Sequence, residues 1–286
     1  MLTIMFDGIA YGMLLFVLAC GLSITLGLMN FINLAHGAFA MAGGYVTVLL
    51  MNRYGISFYW CLPAAFIVTA LAGVVLERLL YRRLYASSHL DQVLFSIGLV
   101  FMAIAAVDYF MGGQQQMINL PPSLQGRFDF LGIGIGRYRL FIIVICAVLA
   151  VGLQLTLTKT RFGSQLRAAV DDGRVARGLG INVSLIFALT FALGSGLAGL
   201  GGALGTELLG LDPNFPLKFL IYFMIVVTVG GTSSISGPFI AALLLGIADV
   251  AGKYYLPQFG AFIIYAVMIL VLIVRPHGLF SREGGR

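Results

Sequence analysis

Charged residues interrupt this chain only at long intervals. Lys, Arg, Asp and Glu are absent from residues 8–52, 54–76, 109–126, 140–158, 178–206, 219–248 and 254–274. Several of these runs exceed the roughly 20 residues with which a helix crosses about 30 Å of hydrocarbon. In that medium every backbone N–H and C=O must be satisfied within the segment, so each run has to be resolved into helices. The run 8–52 is too long for one helix, and Asn30-Phe31-Ile32-Asn33-Leu34-Ala35-His36-Gly37 supplies a polar break between spans at 8–28 and 34–51. The run 219–248 breaks at Gly230-Gly231-Thr232-Ser233-Ser234-Ile235-Ser236-Gly237-Pro238. There glycine entropy and the missing proline N–H disfavour a continuous helix, leaving short spans at 218–230 and 238–252. Further spans fall at 58–76, 92–111, 139–157, 184–206 and 257–274. The pattern predicts an all-α, polytopic integral membrane protein of about nine transmembrane helices, with eight to ten as the range. Residues 112–138, rich in Gly, Gln and Pro, form the largest loop, with a short apolar piece at 128–135 expected to dip into the interface. Nothing there is long enough for a soluble domain, so residues 1–286 read as one membrane domain.

Composition supports the same solvent. Of 286 residues 60% are hydrophobic and 10% charged, against roughly 25% charged in ordinary soluble domains. The formal charge of +6 would point to nucleic acid in a soluble chain, but here the basic residues sit in short gaps where they orient the protein. No nucleic-acid partner is expected. Eleven of the 17 basic residues, Arg78, Arg82, Arg83, Lys159, Arg161, Arg167, Arg174, Arg177, Arg275, Arg282 and Arg286, fall in one set of alternate gaps. The other six, Arg53, Arg127, Arg137, Arg139, Lys218 and Lys253, fall in the other set. By the positive-inside rule the first set faces the cytoplasm, which places the N-terminus outside and the C-terminus inside. Trp60, Tyr54, Tyr59, Tyr254 and Tyr255 then mark the outer boundary.

Enzymatic constellations are missing from the sequence. His36, His89 and His277 are far apart, and Cys20, Cys61 and Cys146 stand singly in apolar runs, so no catalytic site, metal centre or cofactor is expected. With lysines only at 159, 218 and 253 no phosphate loop can be written, and any ATP-driven step must belong to another subunit. The six glycines from Gly194 to Gly205 give the 184–206 helix a small-residue face for close packing.

Transporters bind cargo where helices are interrupted at membrane depth. Two segments qualify, giving Asn30, Asn33, His36, Gly37, Gly230, Gly231 and Ser236 as substrate-pathway candidates. His36 reads equally as a histidine satisfied by a neighbouring carbonyl. Asp108 and Asp249, near helix ends, read as interfacial or paired carboxylates rather than a proton relay. A faint repeat, Gly21-Leu22 before Asn30-Phe31 and Gly196-Leu197 before Asn214-Phe215, lies five spans apart and on opposite faces, as an inverted repeat requires. In the cytoplasmic gap 158–182, Ser164 is expected to cap a short helix ending near Gly173, and Asp172 a second ending near Gly178 or Gly180. Two short helices side by side make a compact knob, which fits a protein dock better than a loop lying on lipid. Its coupling candidates are Gly163, Arg167, Ala168, Ala169, Gly173, Arg174 and Gly180.

Several of these segments carry a resemblance: Asn33-Leu34-Ala35-His36-Gly37, Glu77-Arg78-Leu79-Leu80-Tyr81-Arg82, Thr160-Arg161-Phe162-Gly163 with Gly180-Ile181-Asn182, Thr190-Phe191-Ala192-Leu193-Gly194-Ser195, Gly230-Gly231, and Arg275-Pro276-x-Gly278-Leu279-Phe280. Together, over residues 8–282, they resemble the LivH-type membrane permease of branched-chain amino-acid ABC importers. The resemblance implies a multi-pass subunit of a bacterial cell inner membrane, paired with a second homologous permease, two cytoplasmic ATP-binding subunits and a periplasmic substrate-binding protein, and surrounded by membrane lipid. Arg167 stands where the family's loose Glu-Ala-Ala coupling motif has its Glu, so that carboxylate is not carried over. Similar permeases serve urea and short amides. An ion-coupled secondary transporter is the reading from another class, and it should show carboxylates in mid-span.

Overall fold

The computed structural model describes all residues except Asn30, Ala86, Leu131, Gly132, Thr232, Ser233, His277 and 281–286. Among the described residues a helix covers each predicted hydrophobic segment. In chain order the helices are α1 (Leu2–Met29), α2 (His36–Tyr54), α3 (Phe58–Leu79), α4 (His89–Met111), α5 (Arg137–Lys159), α6 (Arg161–Asp171), α7 (Gly173–Gly178), α8 (Val183–Leu209), α9 (Phe215–Gly230), α10 (Ser236–Tyr255) and α11 (Gly260–Val274). Six of them, α1, α3, α4, α5, α8 and α10, are long and apolar enough to cross a membrane. The 19-residue α2 is less apolar, because His36, Asn52 and Arg53 lie within it. The helices α9 and α11 have 16 and 15 residues, a reach of about 24 and 22 Å at 1.5 Å per residue.

Within 128–135 the described residues form the paired strands of an antiparallel hairpin, β1 (Arg127–Phe130) with β2 (Ile133–Gly136), in the register Arg127 opposite Gly136. The alternating glycines leave one side of β2 without side chains, a pattern of period two that suits a strand. This hairpin is the exception to the all-α reading.

Helix ends follow local chemistry. Ser88 and Asp91 form a reciprocal capping box at the start of α4. Gly55, at φ 65°, ends α2 and returns its N–H to the carbonyls of Leu50 and Met51.

The helices α1 and α8 are the most enclosed of the six, whereas α4 buries only Gln92, Ser96 and Val100. The most extensive pairings are α3 along α8 and α10 along α1, and α8 also lies against α1 and α2. These contacts are backbone-close. A Cβ placed on Gly196 would meet the Phe66 ring at 2.8 Å, one on Gly201 would meet Leu18 at 3.0 Å, and Gly202 sits directly on the Ala40 carbonyl. The glycine-rich face expected of this helix thus packs against three neighbours at once.

Candidate functional site

Between α1 and α2 the chain turns inside protein. Phe31 N–H donates to the Thr25 carbonyl at 3.1 Å, and Ile32 N–H to Gln92 Oε1 at 3.2 Å. Asn33, 2% exposed, accepts a hydrogen bond from the Tyr81 hydroxyl at 3.0 Å. Phe31 stands edge-on to both Tyr81 and Tyr85, and the Tyr85 hydroxyl donates to the buried Glu77 at 2.9 Å. The broken segment is therefore clamped by groups from the 77–92 region, whose sequence pointed to topology and to the family resemblance but not to this contact. His36 is buried, and its Nε2 donates to the Leu18 carbonyl at 2.7 Å, the carbonyl-satisfied state that was one of its two expected readings. Because Leu18 lies in the middle of α1, α2 begins at mid-helix depth. Gly37 permits this approach, since a Cβ there would stand 3.0 Å from Pro216 of α9. Asn30 lies outside the described residues.

At the second break Gly231, at φ 84°, ends α9, and Gly230 lies so close to Pro238 that a Cβ would overlap the proline's backbone atoms. Leu279 N–H donates to the Val229 carbonyl at 2.8 Å, tying the C-terminal Gly278-Leu279 turn onto the break. Ser236, the first residue of α10, is exposed beside an apolar cavity of about 320 Å³ with Phe16 and Phe239. No hydrogen bond among the described residues joins the two breaks. The second break instead meets the segment 158–182: Ser234 and Ile235 share a cavity of about 160 Å³ with Ser23, Leu157, Gly163 and Arg167.

The two short helices expected in that segment are α6 and α7, with one correction. Thr160, not Ser164, caps α6, because its backbone is extended at φ −104° and ψ 161° and its hydroxyl accepts from Gly163 N–H, while Ser164 lies inside the helix. Asp172 caps α7, accepting from the N–H groups of Arg174 at 2.8 Å and Val175 at 3.0 Å. The Val175 and Arg174 donors hold its carboxyl below the usual range. Gly163 is pressed against the Leu157 backbone, and Arg167 donates to the Leu157 carbonyl, one of the orphan acceptors at the end of α5. Ala168 is half-buried and Ala169 is 3% exposed, so neither offers its methyl group freely to a partner. Gly173 is half-buried, whereas Arg174 and Gly180 are exposed. The outward surface of the knob includes Val170, Asp171, Asp172, Arg174, Val175, Arg177 and Leu179.

A third region carried no marker in the sequence as a whole. A cleft of about 380 Å³ opens among α1, α5, α8, α9 and α10, lined by Asp7, Tyr11, Arg139, Tyr222, Asp249 and Lys253 together with apolar side chains. Arg139 is ion-paired with Asp7, and Lys253 Nζ lies 2.6 Å from Asp249 Oδ2. Asp249 is 1% exposed, and Oδ1 of each aspartate is buried with no hydrogen-bond partner. The spacing of Asp249 and Lys253, four apart on one helix, was a legible signal. The Asp7–Arg139 pair joins residues more than a hundred positions apart and had none. The cleft lies at the N-terminal ends of α1, α5 and α9 and the C-terminal ends of α8 and α10, whereas α6 and α7 join the C-terminal end of α5 to the N-terminal end of α8. Cleft and knob therefore occupy opposite ends of the bundle.

Known proteins share this chain's pattern along nearly its whole length. The profile of the family described as "Branched-chain amino acid transport system / permease component" matches residues 4–272. The chain belongs to this family. Membership of the permease family, with six apolar helices of spanning length, makes it a multi-pass membrane protein. Among similar family members, the high-affinity branched-chain amino acid transport system permease protein BraD of Pseudomonas aeruginosa is 28% identical over 96% of this chain and 94% of its own length. LivH of Escherichia coli, a permease protein of a system with the same description, is 28% identical over 97% of this chain and 94% of its own. LivM of the same organism, a second permease protein so described, is 26% identical over 93% of this chain and 68% of its own length. No solved structure matches the chain.

Proposed function

We propose that this chain is the permease subunit of an ATP-driven importer for branched-chain amino acids in a bacterial cell inner membrane, working beside a second, homologous permease. The observation that carries the reading is the family match across 4–272, with relatives aligned over nearly the whole of both chains. Two similar permease proteins in one organism, LivH and LivM, support a pair of permeases. ATP hydrolysis is assigned to two cytoplasmic subunits and capture of cargo to a soluble periplasmic protein. The coupling region is 158–182, where Arg174, Val175, Arg177 and Leu179 present a basic and apolar surface, and Gly163 and Arg167 fix α6 to the end of α5.

Nine spans, α1 to α5 and α8 to α11 without α6 and α7, complete the reading, with the N-terminus outside. The count of basic residues supports the orientation, eleven in the inner gaps against six in the outer ones. Three of the outer six, Arg139, Lys218 and Lys253, are paired with aspartates. An inverted repeat of α1–α4 and α8–α11 is supported by the pairing of α3 with α8 and of α10 with α1, since each pairing is the other's counterpart under the exchange. The two breaks, with Asn33, His36, Gly37, Gly230, Gly231 and Ser236, border the path on its inner half.

The test is uptake of radiolabelled leucine by proteoliposomes holding the assembled importer and its binding protein. Uptake that requires ATP on the cytoplasmic side is expected. Uptake of urea or acetamide in preference to leucine, or leucine uptake driven by an ion gradient without ATP, would overturn the reading.

A further inference from the structure

We propose that the cleft among α1, α5, α8, α9 and α10 is a binding site for a zwitterionic α-amino acid with an apolar side chain, its carboxylate taken by Arg139 and Lys253 and its ammonium by Asp7 and Asp249. This deepens the importer reading and rests on it.

Two cations and two carboxylates line one cleft, so it is neutral as a whole yet carries both signs within reach of one small molecule. An anionic or cationic cargo would leave one pair of charges uncompensated, and a neutral amide would use neither. A zwitterion satisfies both, because each of its ends replaces one partner of an existing ion pair. The carboxylates also have unmet bonding capacity. Asp249 is 1% exposed, and its Oδ1, like Oδ1 of Asp7, has no partner. An ammonium brings three donors. The cations are free to exchange partners: the Lys253 side chain is 52% exposed and that of Arg139 37%, and Lys253 Nζ stands 5.7 Å from the centroid of the Tyr11 ring.

Stability alone gives little reason for this arrangement. Ion pairs whose cations are this exposed contribute little to stability, because solvent screens them, while the buried carboxylate of Asp249 still loses hydration. At a helix end where Leu208, Phe219 and Val250 already form the wall, a buried carboxylate with one unpaired oxygen is better explained by a ligand. The same wall receives an apolar side chain, and about 380 Å³ lies within the usual range for small-ligand pockets. The cleft faces away from the α6–α7 knob, so it lies where cargo would enter rather than where the drive is applied.

The experiment is displacement of labelled leucine from the assembled importer in nanodiscs, without binding protein, using three competitors: leucine, 3-methylbutylamine and 4-methylpentanoate. The two analogues each keep the side chain and one charge. Each is expected to compete about tenfold or more weakly than leucine, since each lacks one charge-assisted set of hydrogen bonds. Asp249→Asn and Lys253→Met are expected to weaken leucine by a similar factor while the subunits stay assembled. The analogue series uses the unaltered importer, so it decides the matter even where a variant does not fold. Equal competition by all three compounds, no measurable leucine binding, or assembled variants with unchanged affinity would each overturn the assignment. ATP-dependent leucine uptake by the same preparation reads the importer function separately, so an importer that works while its cleft fails the test retains the function and loses only this site.

Discussion

A single hydroxyl shows how closely the broken segment is held. Tyr81 is fully buried, its ring packed edge-on against Phe31 and Phe95 and its hydroxyl donating to Asn33. Tyr81→Phe keeps the ring and strands the Asn33 acceptor, and a buried acceptor left without its donor costs about 1–3 kcal/mol. The variant is expected to lower the midpoint of thermal unfolding in detergent, whereas Leu90→Ala on the exposed side of α4 should leave it unchanged. Asn33 and His36 were legible as special because polar residues inside apolar runs need partners. The identities of those partners were not, because Tyr81, Gln92 and the Leu18 carbonyl come to them only through tertiary packing. The two aspartates of the cleft differ in the same respect: the partner of Asp249 was readable four residues away, while Asp7 gave no sign of Arg139.

At the scale of elements, the pair α6–α7 has a buried face and an exposed one, the latter proposed above as the dock. Ala169 belongs to the buried face, so Ala169→Trp is expected to overpack the core and destabilise the subunit by about 1–3 kcal/mol, which an unfolding midpoint reads. Val175 is 57% exposed. Val175→Asp should leave folding intact and reduce substrate-stimulated ATP hydrolysis in the reconstituted importer, because a carboxylate desolvated at an apolar contact is unfavourable. Normal coupling in Val175→Asp would remove α7 from the interface. The existence of both helices was legible from cap residues and glycines, yet the cap of α6 was not. Thr160 and Ser164 are both good cap types, and the choice between them depends on Gly163 having to lie against Leu157, a contact absent from any local pattern. The hairpin at 127–136 escaped for a related reason: glycine in alternation weakens the hydrophobic signal of a strand while preserving its period.

For the whole molecule, the orientation is open to direct measurement. The three native cysteines are buried, so labelling of introduced ones is read against a low background. In right-side-out vesicles Ser123→Cys should react with an impermeant maleimide and Ser164→Cys should not, and inverted vesicles should exchange the two results. The opposite pattern would reverse the membrane orientation and put the cleft on the side of the drive. What the chain's hydrophobic rhythm did disclose was the set of helices and their alternation. It could not disclose that α3 rests on α8 and α10 on α1, because pairing depends on which faces match rather than on where runs begin.

The glycine face of α8 has a further consequence for how movement is shared. Where helices meet through side chains, sliding one past another must reorder interlocked rotamers. Where Gly43 faces the Gly199 backbone, and Gly202 faces the Ala40 carbonyl, there is almost nothing to reorder. That stretch of the α2–α8 contact is thus smooth, while the Phe39–Phe191 pair near the start of α2 and the contact of Phe31, Tyr81 and Tyr85 are filled with interlocking rings.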